Sequence, residues 1–296
     1  VNLGNTCYLN SCMQILSHCY PLNEIIDKYI DTNKINDNID SILLVEWNNL
    51  RKLMWSKNCI ISPNRFVNTV QKISKEKNRE LFTGFIQNDF PEFFIFLLDS
   101  FHNSLKRNVD IKIRGEVIND TDKLAKKCYE TLKIYFNNDY SDIINRFYAV
   151  QITKIVSIDT SNDLSIATEP YCLISLPINK MCNSLYDCLD EYCKFEELSG
   201  DNKWYNEETK LYQDVKKNIC FWNLPDILII DFKRFDNNMT KITKYIDVPI
   251  NDLDLSKYVI GYNSNKYIYN LFGVCNHMGS LFSGHYTAHI KNANNN

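Results

Sequence analysis

Two periodicities divide this chain, and their order limits its fold more than any single residue does. Up to about residue 145 the apolar side chains recur at three- and four-residue spacings, as on one face of a helix. Leu9, Cys12, Met13, Leu16 and Tyr20 share such a face, as do Trp47, Leu50, Leu53 and Met54, and then Phe66, Val67, Val70 and Ile73. The strongest case is the stretch after Asp89, where positions 90, 93, 94, 97, 98, 101 and 105 are all apolar. From about Phe147 the pattern changes to runs rich in Val, Ile, Tyr and Leu, at Phe147 to Ile158 and Tyr171 to Ile178. A helical stretch returns from Ser184 to Glu197, and an exposed connection or hairpin fits Lys203 to Lys217. Asp226 to Phe232 then reads as a buried central strand, and Tyr245 to Pro249 and Lys266 to Val274 continue the sheet. Helices first and strands last make an α+β chain.

Composition excludes several functions. With 33 basic and 36 acidic side chains, the net charge of −3 does not suit a protein that neutralises nucleic-acid phosphates. No apolar run approaches the length of a membrane span. The 11 cysteines are an odd number and include no C-x-x-C pair, which removes the usual zinc-knuckle and redox-motif readings. They read as buried free thiols in a reducing, intracellular setting, cytoplasmic or nuclear.

One of those thiols is differently placed. Asn5 or Thr6 is a suitable N-cap and Gly4 permits a tight entry, so Cys7 falls in the first turn of a helix. Unpaired backbone N–H groups and the helix dipole favour a thiolate there. A buried inert thiol fits the same position equally well, and a partner histidine decides between the two. His285 follows a glycine loop at the start of a strand, late in the chain, as the base of a thiolate–imidazole pair would. Strand alternation places His285, Thr287 and His289 on one face and Tyr286, Ala288 and Ile290 on the other. Asn2, five residues before Cys7 across the turn, can supply an oxyanion with a side-chain amide. Asp89 and Glu92 have the spacing of a capping box, which accounts for Glu92 and nearly for Asp89 but leaves Gln87 unexplained.

Four segments carry a resemblance. Asn2-Leu3-Gly4-Asn5-Thr6-Cys7-Tyr8-Leu9-Asn10-Ser11 with Gln14 resembles the cysteine box of the ubiquitin-specific proteases, and Asn276-His277-Met278-Gly279-Ser280 with Gly284-His285-Tyr286-Thr287-Ala288 resembles their histidine box. Gln87-Asn88-Asp89-Phe90-Pro91-Glu92-Phe93 is similar to the family's Q-x-D-x-x-E-F segment, and Leu224-Pro225-Asp226-Ile227-Leu228 through Lys233-Arg234-Phe235 to its L-P-x-x-L…K-R-F strand. The four occur in family order across nearly the whole chain.

The resemblance implies a papain-like cysteine protease fold shaped as a right hand. A single domain over 1–296 would have a helical thumb to about 140, β fingers with part of the palm over about 141–220, and a β palm over about 221–296. It implies a monomeric thiol deubiquitinase acting on ubiquitin and ubiquitinated proteins, with Cys7 as nucleophile, His285 as base and acid, and Asn2 as oxyanion donor. Asp89 would hold the arginines of the ubiquitin tail, helped by Gln87 and Glu92, while His277, Phe235 and Tyr286 would line a narrow channel for Gly-Gly. Gly279 and Gly284 would free the loop above it.

Two departures alter the expectation. The positions of a zinc-binding C-x-x-C pair in the fingers hold Asn206-Glu207-Glu208-Thr209, and no cysteine lies between Cys128 and Cys172 for the other pair. Fingers without metal and an enzyme without cofactor are therefore expected. The family's third catalytic Asp or Asn, which orients the histidine, is expected beyond residue 296 in a longer parent chain, because Asn292 and Asn294 lie too close along the chain to turn back onto His285. The alternatives are a weak or inactive ubiquitin-binding scaffold and a protease for another ubiquitin-like modifier.

Overall fold

The computed structural model describes residues 1–56, 60–79, 81–84, 86–262, 264–281 and 283–292. Five helices come first: α1 (Cys7–Ser17), α2 (Tyr20–Asp31), α3 (Ile39–Ser56), α4 (Asn64–Glu76) and α5 (Phe90–Leu105). The apolar stripe of α5 is the centre of their core. Phe93, Phe96, Leu97 and Phe101 are fully buried against Leu9 and Leu16 of α1, Trp47 of α3 and Phe66 of α4. Two residues leave the faces assigned to them. Tyr20 begins α2 and is exposed, and Leu53 points to solvent near the end of α3.

The connection into the β half is a two-stranded clasp, β1 (Arg107–Asn108) on β2 (Asp139–Tyr140), enclosing α6 (Asp120–Tyr135) and followed by α7 (Asp142–Phe147). Next come β3 (Ala149–Ser157), β4 (Asp163–Tyr171), β5 (Ile174–Pro177), α8 (Leu185–Cys193), β6 (Glu196–Leu198), β7 (Trp204–Asn206), β8 (Leu211–Gln213), β9 (Val215–Phe221) and β10 (Ile230–Lys233). The chain closes with β11 (Leu253–Asp254), β12 (Ile268–Tyr269), β13 (Gly273–Gly279) and β14 (Gly284–Ile290). An antiparallel sheet runs β4-β3-β9-β6, with α6 covering Val150 and Ile152 on one face. β7 and β8 form the expected hairpin.

The strand pattern overstated regularity in three places. Only Ile230–Lys233 of the run from Asp226 to Phe232 is strand, paired in parallel with β5. Its first residues are held instead by α7, through Arg146 with Asp226 and through Ile227 N–H on Arg146 O, so an apolar run marks burial without fixing its partner. Tyr245 to Pro249 makes one isolated bridge, Ser184 to Asp247. Lys266 to Val274 is divided between two sheets, and the second of them continues through Asn276 to Gly279 in β13.

α1 lies against β13 and β14. Gly273 permits that approach, since a Cβ there would come within 3.0 Å of Ile15 Cγ2. None of the helices described is long and apolar enough to cross a membrane.

One buried histidine gives the fold an acid limit. His102, on α5, has Nδ1 2.8 Å from Ser141 Oγ, and burial, with Lys106 adding to it and Asp139 opposing, lowers its pKa to about 4. Unfolded, it would titrate near 6.5, so the unfolded chain binds the extra proton between these values. The stability that comes from keeping His102 neutral is complete above about pH 6.5 and is lost as pH falls to about 4, on the order of 2 kcal/mol. Urea unfolding at pH 7 and pH 5 should show this loss in the wild type. It should be much smaller in His102→Asn, which keeps a partner for Ser141 without a titratable ring.

Candidate active site

The entry to α1 is built from side-chain hydrogen bonds. Asn2 Oδ1 accepts from Gly4 N–H at 3.2 Å, Thr6 N–H at 3.1 Å and Thr6 Oγ1 at 2.9 Å. Gly4 (φ 99°) and Asn5 (φ 52°) are both left-handed, as a turn this tight requires. Three donors on Oδ1 settle which end of the Asn2 amide holds the turn and leave Nδ2 as the end able to donate. Thr6 occupies the N-cap position, yet its hydroxyl accepts from Leu3 N–H upstream and does not cap the helix. The first-turn amides of α1 therefore keep their capacity to bind an anion, beside the buried thiol of Cys7. The uncapped helix start was not legible beforehand, because Thr is ordinarily a good cap.

The other half of the site comes from the β13–β14 hairpin. Gly279 pairs with Gly284, Met278 with His285 and His277 with Tyr286. Gly279 has φ 109°, which a side chain rarely adopts. The hairpin divides its residues by face. His277 and Tyr286 lie with ring centres 4.8 Å apart and planes tilted by 43°, and Phe235 lies 6.0 Å from His277, so the three aromatic groups named from sequence do meet. Cys275, two residues before His277, lies against Cys7 and Ser11 of α1. His285 is on the opposite face, exposed, beside Met278. Cys7 and His285 thus sit on packed neighbouring elements, with no hydrogen bond between them among the described residues. The hairpin face that lies against Cys7 is the one bearing Cys275, and His285 belongs to the other.

The start of α5 supplies the residues around Asp89. Asp89 Oδ1 accepts from Glu92 N–H at 3.2 Å, and Tyr286 Oη donates to Asp89 Oδ2 at 3.4 Å. The residue is exposed as a whole, but desolvation around its carboxylate raises its pKa, with the Glu92 amide and the Tyr286 hydroxyl opposing. The capping box is half formed, because the exposed Glu92 side chain does not return to Asp89. Gln87 does have a structural partner. Its Oε1 accepts from Gly284 N–H at 2.9 Å and its Nε2 donates to Gly284 O at 3.1 Å, which fastens the segment before α5 to the residue before His285.

Two groups escaped the sequence reading. Asp231 of β10 accepts from Ser175 Oγ at 2.8 Å, and burial raises its pKa, with nearby Asp89 adding to the effect. Lys241 donates to His277 O at 2.7 Å and stands 3.0 Å from its Nδ1. A carboxylate in an apolar run and a lysine in a polar loop carry no local signal of either role.

No described side chain hydrogen-bonds the His285 ring. Asn292 lies two residues beyond the end of β14 and seven positions from His285. Asn294 lies outside the described residues. In the turn between β7 and β8, Asn206 Oδ1 accepts from the amides of Glu208 and Thr209, closing the turn from within. Among the described residues no group of three or more His, Cys, Asp or Glu is arranged to hold a metal ion.

Comparison with known proteins places this geometry. The chain is 30% identical to human ubiquitin carboxyl-terminal hydrolase 2, over 98% of this chain and 48% of that protein. It is 29% identical to Usp2 of Drosophila melanogaster, over 98% of this chain and 30% of that protein. It therefore spans less than half the length of either relative. Among solved structures, a SAGA Ubp8/Sgf11/Sus1/Sgf73 DUB module bound to ubiquitin aldehyde shares its fold, with a TM-score of 0.73 at 22% identity over 99% of this chain and 62% of that one. A model of the ubiquitin carboxyl-terminal hydrolase family matches residues 1–296. The chain belongs to that family, and its fold is the papain-like one of the ubiquitin-specific protease catalytic domains.

Proposed function

We propose that this chain is a thiol deubiquitinase that hydrolyses the isopeptide or peptide bond after the last glycine of ubiquitin. The observation that carries this is the uncapped start of α1 holding Cys7 against a hairpin that carries His285. In the reaction, the Cys7 thiolate attacks the glycine carbonyl carbon, and the oxyanion forms beside Asn2 Nδ2 and the first-turn amides. His285, having taken the thiol proton, gives it to the leaving lysine amine as the C–N bond breaks. Water then attacks the thioester with His285 as base, and ubiquitin leaves as a free carboxylate while Cys7 regains its thiol.

The same reading assigns the recognition roles. His277, Phe235 and Tyr286 are assigned to the wall of the channel that would take Gly-Gly, and Asp89 to the basic tail that precedes it, with Gln87 and Glu92 beside it. Asp231 adds a second carboxylate close to Asp89, which suits a guanidinium better than either acid alone. Residues up to about 140 act as thumb, about 141–220 as fingers with part of the palm, and about 221–296 as the rest of the palm. The ten described cysteines are free thiols, in keeping with a reducing intracellular compartment.

Incubation with ubiquitin carrying a C-terminal electrophile tests the proposal. One covalent ubiquitin per chain, placed on Cys7 by peptide mapping, is the expected result. Tight binding without labelling would favour a scaffold, and labelling only by another Gly-Gly modifier would move the activity to that substrate. Elemental analysis of the purified chain should find no zinc, since the Asn206 turn does the closing that a metal would do. One zinc per chain would overturn that part.

A further inference from the structure

Lys241 is joined to the hairpin by a set of contacts that loop anchoring alone does not require. After β10 the chain turns at Asp236, whose Oδ1 accepts from Asn238 and Thr240 N–H, and Phe235 and Lys241 form an antiparallel bridge. The bridge returns the Lys241 ammonium to His277. It donates to the backbone oxygen at 2.7 Å and also stands 3.0 Å from Nδ1. An ammonium has no lone pair, so Nδ1 must be the accepting nitrogen and the ring proton must be on Nε2. That Nε2 edge fills the place of a side chain at Gly284, where a Cβ would lie 2.0 Å from it. Gln87 grips the backbone of the same glycine through both its N–H and its oxygen. His285 is the next residue.

We propose that Lys241 is a positioning residue: by holding His277 as the Nε2–H tautomer it braces Gly284 from the palm while Gln87 braces it from the thumb, and the pair fix where His285 begins. This rests on the deubiquitinase reading for its kinetic consequences, but the tautomer is a property of the free chain. The charged and titratable groups facing His277 are Lys241 from the loop, Tyr286 from β14 and Asp89 from the start of α5. Burial and Lys241 keep the imidazole below its ordinary pKa, and Asp89 opposes them. Arg234 in turn lowers the pKa of Lys241, after burial. Without the ammonium, the ring takes a proton at higher pH, and Nδ1 becomes a donor with nothing to accept from it.

The test combines histidine nitrogen NMR of the free chain with kcat and KM on ubiquitin bearing a fluorogenic leaving group, for the wild type, Lys241→Met and Lys241→Arg. The expected wild-type spectrum has Nδ1 bare and Nε2 protonated at His277. Lys241→Met should mix the tautomers, raise the His277 midpoint, lower kcat about tenfold and move the acid limb of the rate profile upward. Lys241→Arg, which keeps the charge and the donor, should preserve the tautomer and most of kcat. An unchanged tautomer and midpoint in Lys241→Met would overturn the proposal, as would equal loss of kcat in both variants with matching thermal unfolding. If the tautomer shifts while the wild type turns over no ubiquitin, the brace stands and the deubiquitinase reading fails.

Discussion

Cys7→Ala is expected to lower hydrolysis of ubiquitin conjugates by at least about 10³-fold while leaving KM, thermal stability and ubiquitin binding close to wild type. A nucleophile lost from a triad-like site removes the covalent route, and what remains is the modest catalysis of oxyanion binding and substrate positioning. The fold tolerates the change because Ala removes one buried sulfur from a helix whose packing rests on Leu9, Cys12, Met13 and Leu16. Nearby thiols do not replace it. Burial pushes Cys275 up to about 12, with Cys7 adding to the shift, and fully buried Cys12 is raised well above its ordinary value by the same cause. Both are held protonated at neutral pH, and a thiol is a poor nucleophile. Turnover within tenfold of wild type in Cys7→Ala, measured on protein shown by mass to carry the substitution, would remove Cys7 from the chemistry.

The contrast between Cys7 and Lys241 shows which parts of such a site a sequence discloses. Local pattern was enough for α1, α4 and α5, where the apolar spacing and the turn residues act within a few positions. Spacing also allowed a half-formed feature to be mistaken for a whole one, as at Asp89 and Glu92. Nearby, two true capping boxes at the starts of α6 and α8 use Asp122 and Asp187 in place of the usual Glu, and they passed unread. What was not legible depends on contacts far apart in the chain. Lys241 reaches His277 across 36 positions through the bridge to Phe235, and Gln87 reaches Gly284 across 197. Asp231 looked like a polar residue within an apolar strand until β5 placed Ser175 beside it. The separation of His285 from the Tyr286 face followed from alternation, but its exposure did not.

Gly284→Ala is the second large effect, and its size follows from where the methyl group would go. Gly284 does not need its freedom for an unusual backbone angle. It needs the space, because a Cβ would lie 2.0 Å from His277 Nε2 and 2.7 Å from Met278 O. The imidazole could rotate away, but the carbonyl belongs to the strand paired with β14, so relief requires the hairpin to open at the step before His285. Gln87 resists the same movement through its two bonds to the glycine backbone. The expected result is a loss of kcat of about 10²-fold, as for a reacting group displaced by about an ångström, with KM changed less. Gly84→Ala, where nothing lies within 4 Å of an added Cβ, provides the control and should be silent in both rate and melting temperature. If Gly284→Ala keeps wild-type kcat, the start of β14 can yield without moving His285. If it unfolds at markedly lower temperature, Gly284→Ser and Gln87→Ala separate the two causes: a crowded glycine predicts loss in both kcat and stability for the first. A loosened brace predicts loss in kcat alone for the second, with the melting temperature close to wild type.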